Sequence, residues 1–143
     1  MRTLKYWLHR RQRPDRYARL DALLATQALT REQLLDKQRQ DLRDIVRFAA
    51  ENTRFYREHY GALAAGFAGD ITRLPILHKA DVVARLPDLL VRGADPQGTK
   101  IGHTGGSTGK PLAFYYNEAK HELMRAGMMR SYMLSGWQPG QKI

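Results

Sequence analysis

Cysteine is absent from the 143-residue chain. This absence excludes disulfides, thiolate metal sites and a cysteine nucleophile, and it fits a reducing compartment, so we expect a cytoplasmic protein. Long apolar runs are also missing. No segment approaches the roughly 20 apolar residues that a membrane-spanning helix needs, and we expect no transmembrane segment. The N-terminus carries charge but lacks the apolar core of a secretory signal.

Acidic residues are scarce relative to basic ones, with 14 Asp and Glu against 24 Lys and Arg and a net charge of +10. Such a balance favours an anionic partner, either a nucleotide, a nucleic acid or an anionic lipid. The excess is largest near the N-terminus, where Asp15 is the one acid among seven basic residues: Arg2, Lys5, Arg10, Arg11, Arg13, Arg16 and Arg19. There Leu4, Trp7 and Leu8 share one helical face, which suits either an anionic membrane surface or, as we expect, docking onto the rest of the protein.

The segment from Leu20 to Tyr60 has helical periodicity. Thr30 and Gln33 have the spacing of a capping box, which indicates a helix start. An apolar stripe follows: Leu34, Leu35, Leu42, Ile45, Val46 and Ala49. Asn52-Thr53 predicts a break. The aromatic cluster after it, Phe55, Tyr56 and Tyr60, could stack nucleic-acid bases or pack against the preceding helix, and we favour packing.

The second half of the chain mixes extended and helical patterns. Gly61 to Gly69 reads as a connection, and Asp81 is expected to cap a short helix that stops near Pro87. Two short strands, Thr99–His103 and Pro111–Tyr116, are expected on either side of a glycine-rich loop. Asn117 should then cap a helix that ends at Gly136. Its expected inner face is Leu123, Ala126, Met129, Tyr132 and Met133.

The loop combines glycines, hydroxyl side chains and a lysine within a few residues. Its expected phosphate-binding residues are Thr104, Gly105, Gly106, Ser107, Thr108, Gly109 and Lys110. Glycines let backbone N–H groups approach an anion, hydroxyls can donate to phosphate oxygens, and the lysine supplies positive charge. A Walker A loop is excluded, because that motif needs glycine at position 104 and Ser or Thr at position 111, where this chain has Thr104 and Pro111.

The run Thr104-Gly-Gly-Ser-Thr-Gly-Lys-Pro111 resembles the phosphate-binding loop of adenylate-forming enzymes, [ST]-[ST]-G-[ST]-T-G-x-P. It departs from that pattern at the second place, where Gly105 replaces a hydroxyl residue. Three flanking segments, Asn52–Arg57, Leu74–Lys79 and Gly136–Gly140, are similar to the N-terminal part of phenylacetate–CoA ligase-like proteins. That group includes members associated with capsular polysaccharide biosynthesis, and the similarity extends over roughly residues 30 to 143.

The resemblance implies a two-step reaction with ATP and Mg²⁺, and with CoA as a possible acceptor. A carboxylate attacks the α-phosphorus of ATP, pyrophosphate leaves, and a thiol then takes the acyl group. The loop would hold the β- and γ-phosphates. The adenine and ribose segments of the family lie beyond residue 143, so we expect a fragment that is inactive alone. We assign it no catalytic residue and no metal ligand.

The resemblance further implies a mixed α/β fold, in which N-terminal helices pack beside the first strands of a larger domain. Residues 1–29 would be a basic amphipathic segment, and residues 30–143 the beginning of the AMP-binding domain. Expected partners are a nucleotide and a small carboxylic acid, with self-association through exposed apolar helices and no nucleic acid. Two alternatives stay open: a non-catalytic remnant or interaction protein, and a basic nucleic-acid-binding module. His78 is expected to be structural, while His103 adjoins the loop.

Overall fold

A computed structural model of the chain describes residues 2–105 and 111–141, with side chains described from residue 4 onward. Helices dominate this part of the chain, and one small antiparallel sheet accompanies them. The elements are α1 (Arg2–Gln12), α2 (Pro14–Ala25), α3 (Arg31–Asn52), α4 (Arg54–Ala64), α5 (Lys79–Ala84), β1 (Lys100–His103), β2 (Ala113–Tyr116) and α6 (Glu118–Leu134). Short 3₁₀ helices lie at Thr26–Ala28, Ile71–Arg73 and Leu86–Leu89. The fold is therefore mixed and mostly helical.

Tertiary contacts divide the chain into two compact units. The terminal unit consists of residues 2–30 and 117–141 of the described chain and contains α1, α2 and α6. The central unit is Arg31–Tyr116 and contains α3, α4, α5 and the two strands.

The core of the terminal unit lies between α2 and α6. Tyr17 and Leu20 of α2 are each 2% exposed, and they cluster with Ala126 and Met129 of α6. The hydroxyl of Tyr17 hydrogen bonds His9 Nδ1 of α1 at 2.9 Å. These contacts bury the middle of α6 and join it to the N-terminal helices.

Both predicted ends of α6 are confirmed. The Asn117 side-chain oxygen accepts a hydrogen bond from the Lys120 backbone N–H at 2.9 Å, which satisfies one of the free donors at the helix start. Gly136 follows the helix with a φ of +87°, a conformation that glycine adopts at little cost. The predicted inner face is correct at Ala126 and Met129, but it is wrong at Leu123 and Tyr132, which are 45% and 36% exposed.

The central unit is built on α3 and α4, which meet at the predicted break. Thr53 separates them: its hydroxyl accepts from the Tyr56 N–H at 3.2 Å and donates to the Ala49 carbonyl at 3.0 Å. Phe55 is fully buried, and the His59 ring stacks on it at 4.1 Å. This burial confirms that the aromatic cluster packs internally, and it leaves no Phe55 surface on which a base could stack.

The predicted apolar stripe of α3 is only partly buried. Val46 is 5% exposed, whereas Leu34, Leu35 and Ile45 are 43%, 40% and 57% exposed. Helix α3 has 22 residues and α4 has 11, so α4 is long enough to cover only about half of its partner. A periodic pattern identifies the apolar face of a helix but not how far along its length a neighbour extends.

Two predicted boundaries in the central unit are wrong. The connection expected from Gly61 is helical as far as Ala64, because α4 continues through it. Helix α5 begins at Lys79, and Asp81 lies inside its first turn, where its carboxylate accepts from the His78 backbone N–H at 3.3 Å. Asp81 therefore takes the interior place of the capping motif.

The two predicted strands are confirmed and form an antiparallel pair. Lys100 lies opposite Tyr116 and His103 lies opposite Ala113. The pair is therefore a hairpin, and its His103–Ala113 end leads into the glycine-rich segment. No helix among residues 2–105 and 111–141 has the length and apolar character required to cross a membrane.

Candidate functional site

Two hydrogen bonds fix the base of the glycine-rich loop just beyond the paired strands. The Thr104 backbone N–H donates to the Leu112 carbonyl at 2.9 Å, and the Leu112 N–H donates to the Thr104 side-chain oxygen at 3.0 Å. The hydroxyl of Thr104 thus acts as an acceptor toward its own hairpin and keeps its O–H as a donor for another group. The two hydrogen bonds therefore hold Thr104 and Leu112, at the two ends of the loop, next to each other.

Of the seven predicted phosphate-binding residues, the structure describes the first two. Thr104 and Gly105 are exposed at the end of β1. A Cβ added to Gly105 would meet no atom of the described residues within 4 Å, so these residues leave room for a side chain there. The other five predicted residues lie outside the described residues: Gly106, Ser107, Thr108, Gly109 and Lys110. Their role remains a prediction.

Gly102 has a role that the loop pattern did not indicate. It lies opposite Phe114 in the hairpin, and a Cβ there would come within 2.7 Å of the Phe114 Cζ atom and 3.2 Å of the Tyr116 Cε1 atom. Two aromatic rings therefore cover the glycine, an arrangement that stabilises glycine within strands. The sequence contained a signal for this role, because Gly102 is the one glycine in β1 and β2. An isolated glycine within a strand marks a position that another group approaches closely.

The most buried charged group in the described residues lies in the terminal unit. Glu122 is 5% exposed, and its carboxylate accepts from Arg16 Nε at 2.7 Å and from Arg16 Nη2 at 2.8 Å. The hydrogen bonds from Arg16 lower the pKa of Glu122 against the opposing effect of desolvation. Sequence analysis missed this pair, because the two residues are 106 positions apart and neither belongs to a motif.

Glu122 also belongs to a group of side chains whose ligand atoms lie within 4.8 Å of one another, together with Glu118 and His121. Such a group has the donor types of a cation site. However, both Glu122 oxygens already accept short hydrogen bonds from Arg16, whose positive charge competes with any cation. Glu122 therefore joins α6 to α2 through Arg16, and the group carries no metal assignment.

One curated relative is similar to most of the chain. A phenylacetate–coenzyme A ligase from Thermus thermophilus is 27% identical to it over 122 residues, covering 82% of this chain and 27% of the ligase. The chain thus spans about a quarter of the length of that relative. No family model and no solved structure matches the chain. The similarity supports a distant relationship between this chain and phenylacetate–coenzyme A ligases.

Proposed function

We propose that the chain is the N-terminal part of an ATP-dependent, carboxylate-activating ligase, in which the segment from Thr104 to Lys110 binds the phosphates of ATP. The observation that carries the proposal is the closed hairpin base at Thr104 and Leu112, which leaves Thr104 and Gly105 exposed at the start of the glycine-rich segment between two paired strands. The distant similarity to a coenzyme A ligase supports the same assignment.

ATP would supply the chemistry of such a site. In the proposed reaction a carboxylate oxygen forms a bond to the α-phosphorus as the bond to pyrophosphate breaks, and a thiol then displaces AMP from the acyl group. The chain would contribute to the pyrophosphate side of this transfer. Preorganised donors placed around phosphate oxygens lower the barrier by stabilising charge as the leaving group departs.

The described residues fit a polyphosphate in two respects. Thr104 can donate its O–H outward because its oxygen accepts from Leu112, which fixes the side chain. Gly105 is exposed, and no atom of residues 2–105 or 111–141 lies within 4 Å of a Cβ built there, so these residues allow a phosphate oxygen to approach its backbone. The loop sequence contains no carboxylate. We therefore propose that any Mg²⁺ at this site is bound mainly through phosphate oxygens, as is usual for nucleotide-bound magnesium.

The test is the exchange of labelled pyrophosphate into ATP by the protein encoded by the complete reading frame that contains this sequence, assayed with a panel of carboxylic acids. We expect exchange that depends on one class of acid. Lys110→Ala should lower exchange strongly, since it removes the cation of the loop. Lys100→Ala is the matched control, because it removes the same charge at the other end of β1 and should leave exchange unchanged.

The alternative of a non-catalytic remnant makes the opposite prediction. A remnant would show no exchange with any acid, and Lys110→Ala and Lys100→Ala would behave alike. Direct titration of the 143-residue chain with magnesium pyrophosphate adds a second readout. Saturable binding that Lys110→Ala weakens would support a phosphate-binding loop even without turnover.

A further inference from the structure

Helix α1 has an apolar ridge that is largely exposed to solvent. Leu4, Trp7 and Leu8 occupy positions i, i+3 and i+4 of the helix, and their exposed fractions are 62%, 56% and 45%. The opposite side of α1 carries Tyr6 and His9, which contact Tyr17. The ridge therefore remains available after α1 has packed within the terminal unit.

The charge carried by α1 itself has one sign. Helix α1 contains Arg2, Lys5, Arg10 and Arg11 and no acidic residue. Arg10 is bound to Asp21 of α2, which offsets its charge. Lys5 and Arg11 form no salt bridge within the described part of the chain, and the Arg11 guanidinium lies 5.6 Å from the centre of the Trp7 ring. Arg11 thus lies beside the exposed tryptophan, and Lys5, three positions before Leu8, lies at the other edge of the ridge.

We propose that α1 is an interfacial helix that binds the surface of membranes containing anionic lipids. Leu4, Trp7 and Leu8 would enter the boundary between headgroups and acyl chains, where tryptophan is favoured and short apolar ridges gain burial. Lys5 and Arg11 would lie among the lipid phosphates. The phosphates of a nucleic acid would bind the cations but would not bury the leucines. A lipid surface therefore fits the combination of cations and apolar side chains better.

Binding of this kind is weak and reversible, because the ridge has only three apolar side chains. Each basic residue near an anionic surface strengthens partitioning roughly fivefold, an effect that salt screens. The inference is independent of the proposed ligase function, since α1 lies outside the glycine-rich hairpin in the sequence.

The experiment is co-sedimentation of the full 143-residue chain with two kinds of vesicle, phosphatidylcholine alone and phosphatidylcholine mixed with phosphatidylglycerol. We expect binding to the anionic vesicles only, decreasing as salt is raised. In a Trp137→Phe background, Trp7 is the one remaining tryptophan, and its emission should shift to the blue on binding. An unshifted emission, or equal binding to both vesicles, would overturn the proposal.

Matched variants distinguish vesicle binding through the ridge from nonspecific adsorption through other exposed apolar side chains. Leu4→Ser with Leu8→Ser should abolish sedimentation, whereas Ile76→Ser with Leu134→Ser should not, although the latter residues are 83% and 75% exposed. Circular dichroism of each variant would show whether the helices remain.

Charge variants test the second half of the proposal. Lys5→Gln with Arg11→Gln should weaken partitioning about 25-fold, from two charges at roughly fivefold each. Arg31→Gln with Arg47→Gln changes the net charge equally on the exposed surface of α3 and should have little effect. Equal losses in both pairs would contradict a site on α1. Binding to duplex DNA that survives Leu4→Ser with Leu8→Ser would reassign the surface to nucleic acid.

Discussion

The two units of the molecule differ in the kind of contact that stabilises each of them internally. The terminal unit joins segments from opposite ends of the sequence, and its centre includes the buried pair of Arg16 and Glu122, 106 positions apart. The central unit is assembled from neighbours in sequence: α3 packs on α4, and β1 pairs with β2. The candidate phosphate-binding hairpin belongs to the locally assembled unit.

Ion pairs make the contrast quantitative. In the terminal unit the side chains of Arg16 and Glu122 are 13% and 7% exposed. In the central unit Lys37 and Asp41 form a pair at i, i+4 with side chains that are 48% and 61% exposed. An exposed pair contributes less than about 1 kcal/mol, whereas removing one partner of a buried pair costs several times more. The terminal unit should therefore lose more stability than the central unit when one partner of its ion pair is removed.

The largest expected effect follows from breaking that contact. Arg16→Ala leaves the Glu122 carboxylate buried without its main partner, which should lower the free energy of unfolding by about 3–5 kcal/mol. Arg13→Ala is the matched control: Arg13 approaches the same carboxylate at 3.9 Å but is 54% exposed, so its loss should cost about 1 kcal/mol or less. Denaturant titration measures both.

Amide exchange then shows which unit responds. If the units are energetically separate, Arg16→Ala should lower protection in α2 and α6 while that of α3 and α4 remains. Equal costs for Arg13→Ala and Arg16→Ala would mean that the pair is no more important than a surface contact, and the comparison between the units would fail.

The next largest effect is expected at Gly69 in the central unit. Gly69 has a φ of +90°, and an added Cβ would lie 2.7 Å from the backbone carbonyl oxygen of Arg39. Because the clash is with backbone, Gly69→Ala should destabilise the unit by about 2 kcal/mol. Gly66→Ala, where a Cβ meets nothing within 4 Å, should change stability by no more than about 0.5 kcal/mol. Similar thermal midpoints for the two variants would contradict this placement of Gly69.

Lowering the pH should destabilise the terminal unit through two groups, His9 and Glu122, because protonation of either one favours the unfolded chain. Burial, with smaller effects of Arg16 and Arg13, lowers the pKa of His9 from its ordinary 6.5, so the unfolded chain takes up that proton first as pH falls. Hydrogen bonds from Arg16 lower the pKa of Glu122 from its ordinary 4.5. The stability due to His9 is present above pH 6.5 and that due to Glu122 above pH 4.5, and each is lost as pH falls through the folded-state value.

Urea unfolding followed from neutral to acidic pH measures this loss. His9→Gln should remove the loss of stability that begins below pH 6.5 and leave the loss below pH 4.5, which is due to Glu122. A decline that is unchanged in His9→Gln would show that other groups cause it.

Local signals in the sequence predicted much of this fold. Asn117 and Gly136 mark the ends of α6, and Thr53 marks the start of α4, because caps and glycine stops act within one helical turn. The hairpin is equally local, since its strands flank one loop. The same locality let the loop motif be recognised from consecutive residues.

Contacts between distant segments could not be predicted in this way. Nothing near Glu122 in the sequence indicates that Arg16 binds it, and nothing near Gly69 indicates that a Cβ there would meet the backbone of Arg39. Leu34 fits an apolar stripe but is exposed, because the extent of a stripe that is buried depends on the length of the neighbouring helix. These features belong to tertiary packing.

A smaller effect is expected at the base of the hairpin. Thr104→Val keeps the shape of the side chain but removes the oxygen that accepts from Leu112, which should cost about 1 kcal/mol of local stability. Thr104→Ser retains the hydroxyl and is the control. Faster amide exchange at Leu112 in the valine variant, with unchanged exchange in α2, would confirm that the loop base is a local feature. Unchanged exchange at Leu112 would show that this bond does not close the loop.

The smallest change in stability, within about 0.5 kcal/mol, is expected for Gly105→Ser, because no atom in the described part of the chain lies within 4 Å of the added Cβ. The serine would restore the hydroxyl that adenylate-forming loops carry at this place and add one donor for a phosphate oxygen. Affinity for magnesium pyrophosphate should therefore rise severalfold, measured by titration against Gly105→Ala, which fills the same space without a donor. If serine and alanine bind alike, position 105 does not face the phosphates. If both bind less well than glycine, the backbone of Gly105 itself approaches the anion, and the glycine is a specific adaptation of this loop.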